Sequence, residues 1–304
     1  MTKLGQGKNL GASALLLLAA AIWGFGFVAQ RVGMTHVGPL LFNGVRFLLG
    51  AFVLVPILLL RRPPRSSRDP RAVVGLLASG FVLALAANLQ QFGLVSTEAG
   101  KAGFITGLYV VFVPILGILR GQRIAWSMAV AVPLSVAGLY LLSIAGPLGM
   151  TSGDLWILLG ALVWAVHVQL IGWLVERRDA IEIAIVQFSI CGLASLLGSV
   201  FFERISVAGL AAASGAIAYS GVLSVGVAFT LQVMGQQTVD PSRAGVLLSL
   251  EAAFAILGGW MVLGEHLSTR ALVGCGLMLA AMILAQFDAR RFRRPADASG
   301  SLAP

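Results

Sequence analysis

The sequence predicts an all-α integral membrane protein of ten transmembrane helices arranged as two inverted five-helix repeats. Three observations carry that fold class. The first is composition: of 304 residues, 58% are hydrophobic and only 11% charged, with a mean hydropathy of +0.94. Soluble domains carry roughly 25% charged residues. The second is a succession of apolar runs, several of which reach the roughly 20 residues a helix needs to cross a bilayer. The third is a stretch that occurs twice. Residues 89–103 (LQQFGLVSTEAGKAG) return as residues 231–245 (LQVMGQQTVDPSRAG) at an ungapped shift of 142 positions.

Within that stretch Leu89/Leu231, Gln90/Gln232, Gly93/Gly235, Ala102/Ala244 and Gly103/Gly245 are identical. Glu98/Asp240 and Lys101/Arg243 keep their charge, and the register continues to Phe112/Phe254 and Gly117/Gly259. A shift of 141 pairs Trp23 with Trp164 and Phe47 with Phe188. Self-similarity of this length marks two copies of one unit, here residues 1–146 and 147–304. Ten spans fit near 11–30, 38–60, 72–94, 99–119, 125–143, 154–174, 182–202, 209–235, 242–263 and 267–289. Five spans per copy is odd, so the second copy enters the membrane from the opposite side, related to the first by an in-plane pseudo-two-fold axis.

The short connections set the orientation. With both termini in the cytoplasm, sixteen Lys and Arg fall inside and four (Arg31, Lys101, Arg204, Arg270) outside, which is the asymmetry expected of inner-membrane proteins. The net charge of +9 therefore belongs to loops and is no nucleic-acid footprint. The longest connection, RRPPRSSRDPR at 61–71, reads as a solvated cytoplasmic loop, and the tail from Arg290 as a basic, then Pro/Ser/Gly-rich extension. The first apolar run, after Lys3 and Lys8, reads as a retained first helix because many spans follow it. Asp240 before Pro241 is a helix start, and Ser96 or Thr97 is a candidate cap for the fourth span. Small residues four apart, Gly103/Gly107 and Ala194/Gly198, suit close helix contact. Cys191 and Cys275 lie in apolar runs and read as buried small hydrophobes, with no disulfide or metal spacing.

Ionisable groups at membrane depth cost about 2.5–3.5 kcal/mol, so each is a functional candidate. Glu251 lies nine residues into the ninth span, roughly 13 Å deep at about 1.5 Å per residue. Its repeat partner is Tyr109, so an acid and a phenol reach matching depths near the midplane, where inverted-repeat transporters bind substrate. Glu251 is a candidate to carry a proton or meet an ammonium; the alternative is a neutral, hydrogen-bonded packing carboxyl. Arg46 in the second span pairs with neutral Gln187. It is a candidate carboxylate anchor, or else snorkels or pairs structurally. His167 shares a helix face with Trp164 and is a second candidate for proton coupling, or a packed neutral histidine. Trp23 and Trp164 suit an apolar or aromatic ligand wall, or plain packing, and Asn88 is a cavity-lining candidate. Inversion places Gln90 near the outer surface and Gln232 near the inner one, as gate candidates or as an interhelical hydrogen-bonding pair.

Four segments together resemble EamA-type members of the drug/metabolite transporter superfamily: LLSLEAAFAILGGWMVLGEHLS (247–268), ITGLYVVFVPILGILRGQRIAW (105–126), LLAAAIWGFGFVAQRVG (17–33) and NGVRFLLGA (43–51). The likeness covers nearly the whole chain. It implies ten helices in two inverted repeats, a central cavity and, for most members, export of small metabolites, including amino acids and aromatic ones among them. One departure is Gln122-Arg123, where the family's first repeat often carries Gly-Glu-Arg.

The expectation is thus a transporter exporting small metabolites, amino acids foremost, by alternating access, with other metabolites or drugs as the alternative class. An intramembrane enzyme would need clustered ligands or a nucleophile–base pair. His36, His167 and His266 are scattered, and no His-Glu-x-x-His occurs. No added domain suggests a non-transporting subunit or sensor. The expected partners are a small-molecule substrate and the lipid bilayer. No cofactor, metal, nucleic acid or ATP site is expected, and a monomer suffices because one chain supplies both repeats.

Overall fold

The computed structural model describes residues 3–60, 69–97, 99–122, 124–143, 151–263 and 268–286. Arg61, Arg62, Arg65, Arg68, Glu98, Arg123, His266 and the tail from Arg290 lie outside the described residues.

The described residues are nearly all helical. Helix α1 spans Lys3–Met34, α2 Pro39–Leu60 and α3 Pro70–Leu94. The fourth pass comes in two pieces, α4a (Ala99–Gly107) and α4b (Tyr109–Leu119). Then follow α5 (Trp126–Ser143), α6 (Ser152–Leu174) and α7 (Ala180–Phe202). The eighth pass, α8, runs through Val207–Ala212, Ser214–Ala218, Tyr219–Phe229 and Thr230–Gln236. The ninth is again divided, into α9a (Pro241–Leu248) and α9b (Glu251–Leu263), and α10 (Thr269–Gln286) closes the bundle.

Eight passes are long and apolar enough to cross a membrane. Helices α5 and α10 carry shorter apolar cores, Trp126–Leu141 and Leu272–Ala285. At 18 residues each, these two reach about 27 Å, close to the roughly 30 Å of a hydrocarbon core. They lie against one another. Lipid-facing side chains such as Phe52, Leu60, Phe81, Leu119, Phe201 and Phe202 are exposed, as they must be where the surrounding solvent is hydrocarbon.

Packing follows the two-fold relation that the odd span count requires. Helix α2 packs on α7 and α5 on α10, each helix meeting its own repeat mate. The α3–α6 contact has its counterpart in α8–α1, and α1–α9 has its counterpart in α6–α4. Every major interface therefore joins one repeat to the other.

Local chemistry sets the helix ends. Asp240 accepts from Arg243 N–H at 3.1 Å with Pro241 in the first turn, and Asp69 before Pro70 caps α3 in the same way. Thr151 and Asp154 form a capping box at the start of α6. Before the fourth span the Thr97 hydroxyl donates to Asp154 at 3.1 Å, where Lys101 Nζ also docks at 2.6 Å and ties α4a to α6. The N-terminus of α2 borrows a cap from the other repeat, its Leu40 and Leu41 N–H groups both donating to the Glu203 carboxylate at 2.8 Å.

Three expected spans are not the simple rods the apolar pattern suggests. The fourth and ninth break just before Tyr109 and Glu251, at repeat-related places. Leu108 (φ −61°, ψ −13°) and Ser249 (φ −61°, ψ −16°) adopt nearly the same conformation. Hydrogen bonds there tighten to i→i−3, Val111 N–H to Leu108 O and Ala252 N–H to Ser249 O. The eighth holds an eleven-residue π-helical stretch, Tyr219–Phe229, whose wide turns are rare and concentrate at functional sites.

Close backbone approach brings α1 onto α9 beside the break. A Cβ on Gly24 would lie 2.6 Å from the Glu251 carbonyl oxygen and 2.7 Å from Ala255 N, so only glycine fits there. At Gly103, by contrast, a Cβ would lie in ordinary contact 3.6 Å from Ala252 Cα, so the α4a–α9 approach leaves room for a small side chain. Cys191 is fully buried in an apolar cluster with Phe47 and Phe188, and Cys275 is half-buried.

Candidate functional site: a cavity on the two-fold axis

A cavity with about 500 Å³ of atom-free space, part of it open to the outside, lies between the repeats. Its wall is built largely from repeat-related pairs. Trp23 faces Trp164 across the axis, and the same holds for Phe27 and Val168, Gln90 and Gln232, Thr106 and Leu248, and Tyr109 and Glu251. The axis therefore passes through the cavity. The elements explain the pairing. Thr106 and Tyr109 sit three apart across the α4 break, and Leu248 and Glu251 sit three apart across the α9 break. Trp23, Phe27 and Gln30 fall at i, i+4 and i+7, one face of α1.

Four lining residues have no lining counterpart: Gln30, Arg46, Ser224 and Phe229. Ser224 and Phe229 both come from the π-helical stretch. The Ser224 carbonyl accepts the Trp23 indole N–H at 3.0 Å, and Phe229 becomes the hub of an aromatic wall. Its ring stacks on Trp164 at 5.8 Å and 26°, and meets Trp23 at 4.6 Å. Trp164 donates its indole N–H to Gln90 Oε1 at 2.7 Å. Offset and tilted aromatic contacts of this kind contribute about 0.5–1.5 kcal/mol each beyond burial.

The polar side of the cavity holds one cation and one acid. The Arg46 guanidinium lies 4.9 Å from the Phe47 ring centroid, and its Nε–H donates to Asn43 Oδ1 at 2.8 Å. Glu251 opens α9b, with the Tyr109 hydroxyl beside its carboxyl. Among the described residues, neither Arg46 nor Glu251 enters an ion pair. Gln30 Oε1, Thr106 Oγ1 and Gln232 Oε1 also lie buried in this wall without a hydrogen-bond partner. They are polar groups that a ligand in the cavity can meet.

Of the residues singled out from sequence, Trp23, Arg46, Gln90, Tyr109, Trp164, Gln232 and Glu251 line this one cavity. Asn88 and His167 do not. Asn88 is turned into the α2–α3–α7 contact, where it bonds Asn43 and Ser195. His167 is fully buried, its Nε2 bonded at 2.8 Å to Gln187 Oε1 and its ring edge-on to Trp164 at 5.6 Å. It packs behind the aromatic wall, outside the residues that line the cavity. Gln90 and Gln232 both line this cavity, and Gln90 is held there by the Trp164 indole. Phe27, Gln30, Thr106, Ser224 and Phe229 were missed. The i, i+4, i+7 stripe from Trp23 is a signal for Phe27 and Gln30, and the repeat register from Tyr109 is one for Thr106. Phe229 has none, because a π-helix alters the facing of every residue within it.

Comparison with known proteins agrees with the geometry. The EamA-like transporter family matches the chain twice, over residues 10–144 and 151–287. The chain belongs to the EamA-like transporter family. It is a multi-pass membrane transporter of the drug/metabolite superfamily, not an enzyme. This EamA-like transporter is 30% identical over 283 residues to an uncharacterized transporter of Archaeoglobus fulgidus, covering 91% of this chain and 86% of that one. It is 26% identical over 279 residues to the uncharacterized inner membrane transporter YedA of Escherichia coli, covering 86% of each. A solved crystal structure superposes with a TM-score of 0.75 over 93% of this chain and 99% of the other, at 20% identity, a likeness of fold. Among the described residues no group of three His, Cys, Asp or Glu side chains is placed to hold a metal ion.

Proposed function

We propose that this EamA-like transporter exports small zwitterionic metabolites, amino acids foremost, by alternating access around the central cavity. One observation carries the reading: an arginine and a glutamate line the same cavity, unpaired with each other, beside an aromatic wall. Burying an uncompensated charge costs several kcal/mol. A ligand with a carboxylate for Arg46 and an ammonium for Glu251 offsets both costs at once and leaves its side chain against Trp23, Trp164 and Phe229. A simple anion or cation would offset only one. Alternating access is supported by the arrangement of the repeats, whose major helix contacts join one repeat to the other around the cavity. Gln90 and Gln232 act within the cavity wall, Gln90 by holding Trp164. One chain holds both halves of the site and works as a monomer.

The test is uptake of labelled leucine, phenylalanine and threonine into liposomes containing only the purified protein, with and without a pH gradient. Saturable uptake that the unlabelled compound competes away is expected. No uptake of any, by folded protein, would overturn the amino-acid reading.

Orientation is part of the proposal. Both termini face the cytoplasm of an inner membrane, supported by the sixteen-to-four asymmetry of loop Lys and Arg and by the inner-membrane designation of YedA. A cysteine placed at Ser206, in the α7–α8 connection, should then react in intact cells with an impermeant thiol reagent. Reaction only after the cells are opened would reverse the topology.

A further inference from the structure

Behind Arg46 a chain of amides crosses three helices. Asn43, one turn earlier on α2, accepts the Arg46 Nε–H at 2.8 Å. The Asn43 amide donates to Asn88 Oδ1 on α3 at 2.7 Å and to the Ala87 carbonyl at 3.1 Å. Asn88 Nδ2 donates in turn to Ser195 Oγ on α7 at 2.9 Å. Both amide orientations are forced from the ends. The Arg46 Nε–H can only donate and the Ala87 carbonyl can only accept, so Asn43 must turn its oxygen to Arg46 and its nitrogen to α3. Asn88 must then offer its oxygen to Asn43 and its nitrogen to Ser195. Asn43 and Ser195 are fully buried.

The chain has no copy in the other half. The repeat partner of Asn43 is Ala184, and that of Asn88 is Thr230, whose hydroxyl bonds the Gly226 carbonyl of its own helix at 2.6 Å. The partner of Arg46 is Gln187. Packing needs common to both repeats would have been met in both. The amide chain occurs only where the arginine occurs.

We propose that Asn43 and Asn88 are positioning residues that fix the plane of the Arg46 guanidinium, so that its terminal nitrogens present a fork to a carboxylate in the cavity. A guanidinium binds a carboxylate best through two parallel N–H bonds, and a plane free to rotate about the long side chain loses that geometry. Tying down Nε from behind, with Phe47 4.9 Å from the guanidinium carbon, leaves the Nη end for the ligand. The positioning rests on geometry alone; its link to a carboxylate ligand rests on the amino-acid reading above.

The experiment has two readouts on the full-length protein in detergent. The first is the NMR resonance of Arg46 Nε–Hε, assigned by its loss in Arg46→Gln. It should be protected from solvent exchange in the wild type and shifted or lost in Asn88→Leu, a residue outside the cavity wall. The second is binding of L-leucine against isopentylamine, the same molecule without its carboxylate. Asn88→Leu should weaken leucine about tenfold, as for a hydrogen bond to a charged group, and leave isopentylamine nearly unchanged. Combined with Arg46→Gln it should add nothing. Should Asn88→Leu not fold, Ser195→Ala removes the last link and is read identically. An unmoved Arg46 resonance, or equal losses for both ligands, overturns the positioning role. A wild type that binds neither ligand, with the resonance still lost in Asn88→Leu, overturns the amino-acid reading and leaves the positioning intact.

Discussion

Replacing Arg46 by glutamine should abolish most uptake of carboxylate-bearing substrates, raising their KM by about ten- to a hundredfold. That range corresponds to losing charge-assisted hydrogen bonds of about 1.5–3 kcal/mol. Arg46 is buried, carries no ion pair among the described residues and lines the cavity, so its charge has no structural partner that a substitution would orphan. Glutamine keeps much of the aliphatic stem against Phe47 and can still donate toward Asn43, which is why it is a better probe than alanine. Arg46→Lys should fall between, keeping a point charge and losing the fork. The check is the ratio of leucine to isopentylamine transport. A wild-type ratio in Arg46→Gln, at normal expression, removes Arg46 as the anchor.

Glu251→Gln should have an effect of similar size on the opposite end of the ligand, and should also remove any dependence on a pH gradient. Glu251 is buried at the first position of α9b, with Tyr109 from the other repeat beside it. Glutamine is nearly isosteric, so the α1 contact through Gly24 is undisturbed. Without a carboxylate the cavity cannot pair an ammonium or bind and release a proton there. Uptake measured with and without the gradient decides the point. Full, pH-dependent transport by Glu251→Gln would rule it out as the proton carrier. Tyr109→Phe should be milder, since it removes a neighbour of the carboxyl and leaves the acid itself in place.

Depth and pairing were legible in the sequence; direction and backbone irregularity were not. The shift of 142 positions brings Tyr109 opposite Glu251 and Gln90 opposite Gln232, and those pairs face one cavity. Registers of this kind survive because inverted repeats must bury the same positions twice. The breaks before Tyr109 and Glu251 left no trace, because Leu108 and Ser249 are ordinary helix residues and the nearest proline, Pro114, lies beyond the first of them. Their conformation is imposed by packing across the repeats, which a single helical pattern does not record. His167 and Asn88 lie outside the lining for a related reason. Each lies at a plausible depth, yet the hydrogen-bond partner that turns it away from the cavity, Gln187 or Asn43 and Ser195, sits on another helix.

The scaffold is two-fold and its contents are not, and this bears on how a ligand is read. Were the wall fully symmetric, any ligand would have two degenerate poses, head and tail exchanged by a half-turn, and each reversal of the carrier would leave it free to tumble between them. Setting Arg46 against Gln187 and Glu251 against Tyr109 lifts that degeneracy. On the alternating-access proposal, a ligand with unlike ends keeps one heading through the whole cycle, and the mouths at the two membrane faces are presented with opposite ends of the same molecule.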